Sequence, residues 1–163
     1  MAAGGPGPAG DETDADILAL EAFLPYRLNR AAELVSRGFA RLYGERYGLT
    51  RPEWRCLATI GQFGRITATA IGTHSSMHKT KVSRAVRALE ERKWLMREAD
   101  PQDRRTEHLT LTPQGLKAYG ELAGIARGYE AELMRALARD GEKLDRGLAG
   151  VERVFASGGK TQQ

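Results

Sequence analysis

The order of patterns between residues 67 and 111 constrains the fold more than any other feature of this 163-residue chain. The spacing of apolar residues predicts a short helix from Thr67 or Ala68 to Gly72, followed by a polar turn. A second helix is predicted from Lys79 to Lys93. Two helices joined by a tight turn are typical of a helix-turn-helix unit.

A β-hairpin pattern follows the second helix. Residues Trp94–Glu98 and Thr106–Leu111 each suit a short strand, and a charged segment, residues 99–105, lies between them. Helix, turn, helix and hairpin in this order predict a winged helix-turn-helix, whose second helix enters the major groove of DNA while the hairpin tip approaches the minor groove. The predicted fold class is therefore mainly α with a small β wing.

The second helix of this unit has two chemically different sides. Its inward side is apolar and consists of Val82, Ala85, Val86 and Leu89. Donors for base edges and phosphates are available from the rest of the helix and its start, namely His78, Lys79, Thr80, Lys81, Ser83, Arg84 and Arg87. Residues 77–97 hold seven basic and two acidic side chains. A solvated charged face is the alternative, but the turn and hairpin context favours DNA.

The charge of the whole chain agrees with a polyanionic partner. The 25 basic and 21 acidic residues give +4, and the pI is near 9.4. The acidic residues Asp11, Glu12, Asp14 and Asp16 precede any basic one, and the chain without them has 25 basic against 17 acidic residues, or +8. No apolar run approaches the roughly 20 residues that span a bilayer, and the N-terminus lacks a secretory signal. We expect a cytoplasmic protein with no membrane contact.

Four further helices are predicted outside this unit. The first covers residues 16–47, where Pro25 either kinks the helix or separates a short first piece from a longer second one. Thr50 and Glu53 form a capping box that begins a helix at Arg51, ending near Gln62. Thr112 and Pro113 begin a long helix to about Arg139, and a last helix runs from about Gly141 to Val154.

Several motifs in the second half of the chain are similar to those of the MarR family of bacterial transcriptional regulators. They are Thr-Lys-Val-Ser-Arg at 80–84, Leu-Glu-Glu at 89–91, Asp-Pro-Gln-Asp-Arg-Arg at 100–105 and Leu-Thr-Leu-Thr-Pro-Gln-Gly at 109–115. The resemblance covers residues 17–156 and is greatest to regulators of aromatic-acid catabolism. It departs from the family at His78, where aspartate or a similar helix cap is more usual.

The resemblance implies roles for the residues of the wing. In the family, an arginine of the wing tip enters the minor groove and the wing aspartate orients it through an ion pair. In this chain the inserted residue would be Arg104 or Arg105, and the orienting residue would be Asp103.

The resemblance also implies a homodimer joined by its terminal helices, which reads an inverted repeat in operator DNA. The sequence agrees, because the apolar faces of the first and last helices are hard to bury in a monomer. The expected organisation is a disordered tail at 1–15, a dimerisation helix region at 16–47, the DNA-binding domain at 48–112, dimerisation helices at 113–156 and a disordered tail at 157–163.

A small-molecule site is a further implication of the resemblance, commonly one for phenolic or other aromatic acids. Trp54 and Arg55, followed by Tyr26 and Arg27, provide the ring and the guanidinium that an aromatic carboxylate requires. Hydroxycinnamates or their thioesters, benzoates and indole acids all suit this chemistry. The alternative is that Trp54 belongs to the core and Arg55 pairs with a carboxylate such as Glu53 or Glu45.

Other functions have weaker support in the sequence. A lone cysteine, Cys56, excludes an intramolecular disulfide; an oxidant-sensing repressor is one alternative, although a lone helical cysteine is usually a buried apolar group. His74 and His78 lack evident third and fourth zinc ligands. The motifs of nucleotide-binding loops and of nucleophilic serine enzymes are absent, so no enzymatic activity and no cofactor are expected. A winged helix used for architectural DNA binding or protein contacts is the remaining alternative.

Overall fold

The computed structural model describes residues 17–158, with side chains to residue 156. Its elements are α1 (Leu24–Tyr47), α2 (Arg51–Phe63), β1 (Arg65–Thr67), α3 (Ala68–Ser75), α4 (Lys79–Glu91), β2 (Leu95–Ala99), β3 (Glu107–Leu111), α5 (Pro113–Leu137) and α6 (Arg139–Gly158). The predicted fold class, mainly helical with a small β wing, is confirmed. The chain packs as two units, one ending at Gly38 and the other beginning at Phe39.

The wing is a three-stranded antiparallel sheet in the order β1-β3-β2. The predicted hairpin is confirmed, with Arg97 opposite Leu109 and Leu95 opposite Leu111. Strand β1, which the sequence analysis missed, pairs Ile66 with Leu109. Since β1 directly precedes α3, this pairing attaches the wing to the start of the helix-turn-helix unit.

Helix α1 begins later than predicted. Residues 17–23 are not helical, so a helix that begins near residue 16 is wrong for the described residues. Of the two alternatives for Pro25, the kink is wrong because Pro25 is the second residue of α1, and a short first helix is not present in residues 17–23. Proline suits the first turn of a helix, where its missing N–H would have no intrahelical partner. Residues 17–19 are irregular and a turn follows them.

The N-terminal caps of α2 and α4 lie where the sequence predicts them. The capping box of α2 is present, with Thr50 N–H donating to Glu53 Oε2 at 3.1 Å. Helix α3 continues past the predicted end at Gly72 to Ser75, so the turn is shorter than expected. His78 is the N-cap of α4, and its Nδ1 accepts from Thr80 N–H at 3.4 Å.

The last two helices agree with the prediction except at their ends. Thr112 caps α5 through Gly115 N–H, at 3.1 Å. Helix α6 extends to Gly158, so the first two residues of the predicted tail at 157–163 are helical. The other predicted tail, residues 1–15, and residues 159–163 lie outside the described part of the chain.

The core of the second unit lies between α2, α4, α5 and the sheet. All four residues predicted for the inward side of α4 are buried, as are Leu57 and Ile60 of α2. The remaining buried apolar residues are Tyr43, Leu49, Cys56, Ile71, Trp94, Leu95, Leu109, Leu111, Ala118 and Leu122.

Arg92 links the C-terminal end of α1 to this core through hydrogen bonds. Its guanidinium donates to the carbonyl oxygens of Tyr47 at 2.8 Å and Gly48 at 3.2 Å, lies 4.0 Å from Glu53 and stacks over the ring of Trp94. Helix C-terminal carbonyls lack intrahelical partners, and a cation satisfies them well. Arg92 is therefore structural, although the sequence analysis included it in the basic surplus of residues 77–97.

Large exposed apolar side chains concentrate in the terminal helices. Within residues 17–158, all but Phe63 and Met96 lie before residue 36 or after residue 115. On α6 they recur on one side, at Leu144, Leu148, Val151 and Phe155, the last 76% exposed. No helix of the described residues is long and apolar enough to cross a membrane.

Candidate nucleic-acid interface

The predicted contact residues of α4 share an exposed surface. Every one of His78, Lys79, Thr80, Lys81, Ser83, Arg84 and Arg87 is exposed, while the inward residues of the same helix are buried. The helical period puts apolar packing on one side and donors on the other. The geometry suits a helix that packs on its own domain and contacts a groove of DNA.

The basic side chains of this region divide into two groups. Arg87 pairs with Glu91 on its own helix at 3.0 Å, and both are well exposed. Arg97 is bound by the carboxylates of Glu90 and Glu107. Together with Arg92, these arginines are engaged within the protein. The cationic side chains left for DNA on α4 are therefore Lys79, Lys81 and Arg84, with Arg87 available if it leaves an exposed pair of small net stability.

A groove of about 520 Å³ runs between α3 and α4 on this side. Its floor is apolar, with Ala68, Val82 and Val86, and its rim includes Lys79 and Ser83. A Cβ atom at Gly72 would lie 3.1 Å from the Met77 carbonyl oxygen, so the turn packs closely against α3. A larger side chain at residue 72 would therefore displace the turn that leads into α4.

The wing tip is shaped by two aspartates. Asp100 Oδ1 accepts from Gln102 N–H at 2.9 Å and Asp103 N–H at 3.2 Å. Asp103 accepts from Arg105 N–H at 3.0 Å and from the Thr106 hydroxyl at 2.9 Å. The expected ion pair from Asp103 to a wing arginine is thus replaced here by bonds that close the turn. Arg104 and Arg105 are both exposed at the tip.

His108 connects the tip to the sheet. Its Nε2 lies 2.9 Å from Asp100 Oδ2, and its strand position is opposite Thr67, the N-cap of α3. The backbone bonds to Asp100 and the His108 contact together hold the pKa of the Asp100 carboxyl below its ordinary value. Sequence reasoning missed both residues, since a histidine in a strand carries no local signal for a partner eight residues earlier.

The four residues predicted for a ligand site lie in both units. Tyr26 and Arg27, in the first unit, line a shallow hollow of about 240 Å³ with Arg30 and Leu34. Trp54 and Arg55, in the second, are on α2. Arg55 is exposed, and Glu53, one of its expected partners, is instead bonded to Thr50 and near Arg92.

Trp54 belongs to an aromatic cluster that the sequence analysis missed. Its ring stacks on Tyr43 at 5.8 Å and meets Phe39 edge-on at 5.2 Å, and Phe39 in turn lies 5.5 Å from Tyr129. Trp54 therefore packs against the core, as the alternative reading expected. Burial raises the pKa of Tyr43, and the positive charges of Arg51 and Arg55 oppose that rise, so both lie near its hydroxyl.

Cys56 and the two histidines do not form reactive sites in the structure. Cys56 is fully buried, and desolvation raises its pKa to about 12, which disfavours the reactive thiolate and argues against an oxidant sensor. His74 packs edge-on against Phe63 at 5.0 Å, and His78 caps α4. Within residues 17–158 no cluster of three or more metal-ligating side chains was found.

Comparison with known proteins finds similarity to MarR-family regulators. The chain is similar to the MarR family transcriptional regulator SPO1453 of Silicibacter pomeroyi DSS-3, with a TM-score of 0.76 and 26% identity, covering 85% of this chain and 99% of that one. Residues 49–106, the helix-turn-helix and wing, match the MarR family model. The winged helix of this chain therefore matches the MarR family, and a solved MarR-family regulator shares its fold.

Two further relatives are described as regulators of transcription. An uncharacterized HTH-type transcriptional regulator of Bacillus subtilis (strain 168), YwoH, is 28% identical over 111 residues, which are 68% of this chain and 80% of the relative. The transcriptional repressor CouR, solved with a 23-mer DNA duplex, has a TM-score of 0.72 and 27% identity over 82% of this chain and 94% of that one. The relatives are described as transcriptional regulators, and together with the family match they indicate that this chain is a DNA-binding transcriptional regulator.

Proposed function

We propose that this protein is a homodimeric repressor that leaves a palindromic operator when it binds a small aromatic carboxylate. The single observation that supports it best is the arrangement of the winged helix. Hydrogen-bond donors are exposed along α4, and two arginines, Arg104 and Arg105, are exposed at the wing tip. The similarity to CouR, a repressor solved on DNA, supports repression as the mode of action.

The DNA contacts follow from the chemistry of the exposed side chains. Arg84 and Lys79 suit the acceptor edges of guanine in the major groove, while Lys81, Thr80, Ser83, His78 and Arg87 suit phosphates or neighbouring bases. Arg104 or Arg105 enters the minor groove, where a narrow groove attracts guanidinium groups. Asp103 contributes by closing the turn that presents them.

The dimer is supported by the exposed apolar residues of the terminal helices. Leu144, Leu148 and Val151 on α6 are more than a third exposed, and so are Leu18 and Leu34 near the N-terminus. Patches of this kind on a soluble chain mark an interaction surface. A two-fold dimer would place two α4 helices on half-sites about one DNA turn apart.

The effector site in this proposal lies at the aromatic cluster of the second unit. Arg55 supplies an exposed guanidinium for a carboxylate, and the partly buried Trp54 supplies a ring against which an aromatic acid packs. Tyr26 and Arg27 are the second pair. Binding would stabilise a dimer geometry in which the two α4 helices no longer fit the operator spacing, a population shift.

The test is fluorescence anisotropy of a duplex from the region upstream of its own gene, titrated with the protein in the presence of hydroxycinnamates, benzoates, indole acids and a coenzyme A thioester. One acid that releases the operator, with no effect on weak binding to a scrambled duplex, supports the proposal. Operator binding that no member of the panel changes contradicts the effector class. Equal binding to both duplexes indicates an architectural protein.

A further inference from the structure

We propose that Arg97 is a positioning residue for DNA binding, which sets the angle between the recognition helix α4 and the wing by bridging Glu90 and Glu107. The proposal rests on the DNA contacts proposed above. It gives Arg97 a role different from that of Lys79, Lys81 and Arg84, because its guanidinium is bonded to two carboxylates of the protein.

The geometry of the bridge is specific. Arg97 Nε and Nη2 donate to the two oxygens of Glu90 at 2.6 and 2.9 Å, a two-pronged pairing, and Nη1 donates to Glu107 Oε2 at 2.9 Å. All three nitrogens of the guanidinium are therefore bonded to carboxylates. A planar fork held at two points resists rotation in a way that a lysine ammonium does not.

The three residues belong to three different elements. Glu90 is on the last turn of α4, Arg97 is in the middle of β2 and Glu107 begins β3. The wing strands lead directly from this bridge to the tip that presents Arg104 and Arg105. Because a helix in the major groove and a tip in the minor groove must fit simultaneously, the angle between them decides whether both contacts form.

Charge adds a second reason for the bridge. Glu90 and Glu107 lie on the DNA-binding lobe, where unpaired carboxylates would repel phosphates, and one guanidinium serves both. The two bonded carboxylates raise the pKa of Arg97, so it stays protonated at every pH at which the protein folds. The substitution Arg97→Lys separates the positioning role from the charge role, because lysine keeps the positive charge but lacks the planar guanidinium that pairs with two carboxylates.

The test is a double-mutant cycle on operator affinity at fixed salt. Arg97→Lys should weaken binding about tenfold, the loss expected for one arginine contact to DNA. Combining it with Arg105→Ala and Arg104→Ala should add little, since the wing contact is already lost, whereas combining it with Arg84→Ala should multiply the two losses. Arg146→Lys, which alters an exposed pair on α6, is the matched control and should bind normally.

A readout on the free protein accompanies the cycle. In Arg97→Lys, amide exchange should quicken in β2 and β3 while the α2 and α5 amides retain their protection. Wild-type affinity of Arg97→Lys, losses that multiply with the wing variants, or unchanged exchange in the wing would each overturn the inference. If Arg84→Ala and the wing variants all bind normally, the proposed interface fails too. If they weaken binding and Arg97→Lys does not, only the positioning role fails.

Discussion

The Cα atom of Gly115 lies against the backbone carbonyl of Trp94. A Cβ atom at residue 115 would overlap the carbonyl oxygen and lie 2.9 Å from the carbonyl carbon. The same carbonyl accepts from Thr112 N–H at 3.0 Å, and the Thr112 hydroxyl donates to Lys93 O at 2.7 Å. The sequence Leu-Thr-Pro-Gln-Gly therefore fixes the start of α5 onto the end of the recognition helix.

Gly115→Ala should destabilise the protein, since the added methyl group meets backbone that cannot rotate away. We expect a loss of about 1–3 kcal/mol in the free energy of unfolding, measured by urea denaturation at fixed protein concentration. Gly120→Ala on the same helix is the control, because nothing lies within 4 Å of that position, and it should retain wild-type stability or gain slightly. Equal stability of the two variants would show that α5 is free to move from Trp94.

Arg84→Ala should weaken specific operator binding by about 1–3 kcal/mol without changing the melting temperature. Arg84 is exposed on the outward side of α4, so its removal alters a DNA contact and leaves the core intact. Anisotropy titrations against the operator and a scrambled duplex measure the change. A loss that is identical for both duplexes would assign Arg84 to phosphate contact and not to base recognition.

Arg55→Ala should bind the operator like the wild type and fail to respond to the effector acid. Arg55 is exposed beside the aromatic cluster and outside the recognition surface. Arg55→Lys is the matched variant: it keeps the charge but loses the bidentate geometry, so a reduced response is expected. A normal response in Arg55→Ala would show that the effector site lies elsewhere, with Tyr26 and Arg27 the next residues to substitute.

The wing tip should lose order at low pH. The folded pKa of Asp100 is below its ordinary value of 3.8, so the carboxylate stabilises the tip above that pH and its contribution is lost as the pH falls through the lowered pKa. Protection of the Gln102 and Asp103 amides should be constant from pH 5 to 7 and fall below about pH 3.8. In Asp100→Ala, which has no side-chain acceptor, the protection should be low throughout. If amide protection in the wild type changes only weakly with pH, and protection in the variant does not change at all, the order of the tip depends on the backbone alone.

Cys56 should be inert in the folded protein. A pKa of about 12 leaves roughly one thiol in ten thousand ionised at pH 8, and burial blocks access. Iodoacetamide should therefore alkylate Cys56 only after unfolding in urea, and operator binding by Cys56→Ala should match the wild type after peroxide treatment. Rapid alkylation of the native protein would reopen the oxidant-sensing alternative.

The elements that local patterns predict were found, and those fixed by distant contacts were not. The apolar period of α4 and the capping box at Thr50 are local, and both are confirmed. Strand β1 has only three residues, so its conformation depends on pairing with β3, more than forty positions later. The start of α1 was wrong because apolar residues before Leu24 continue the helical spacing without forming helix.

The same distinction applies to the side chains of the site. The exposure of the donors on α4 was predicted, because it follows from the helical spacing of the apolar residues in that helix. The sequence pattern of a basic residue near a DNA-binding helix is the same whether the residue contacts DNA or protein. The roles of Arg92 and Arg97 could therefore be assigned only from the structure. The rings around Trp54 come from α1, α2 and α5, and no spacing along the sequence brings them together.

In the proposed function, α4 and the wing bind one operator sequence specifically. The most direct test of this specificity is the anisotropy titration of the wild-type protein against its upstream duplex and a scrambled duplex of equal length, at two salt concentrations. We expect operator affinity at least about a thousandfold above that for the scrambled sequence, with both affinities falling as salt rises. Equal affinity for the two duplexes at both salt concentrations would contradict it.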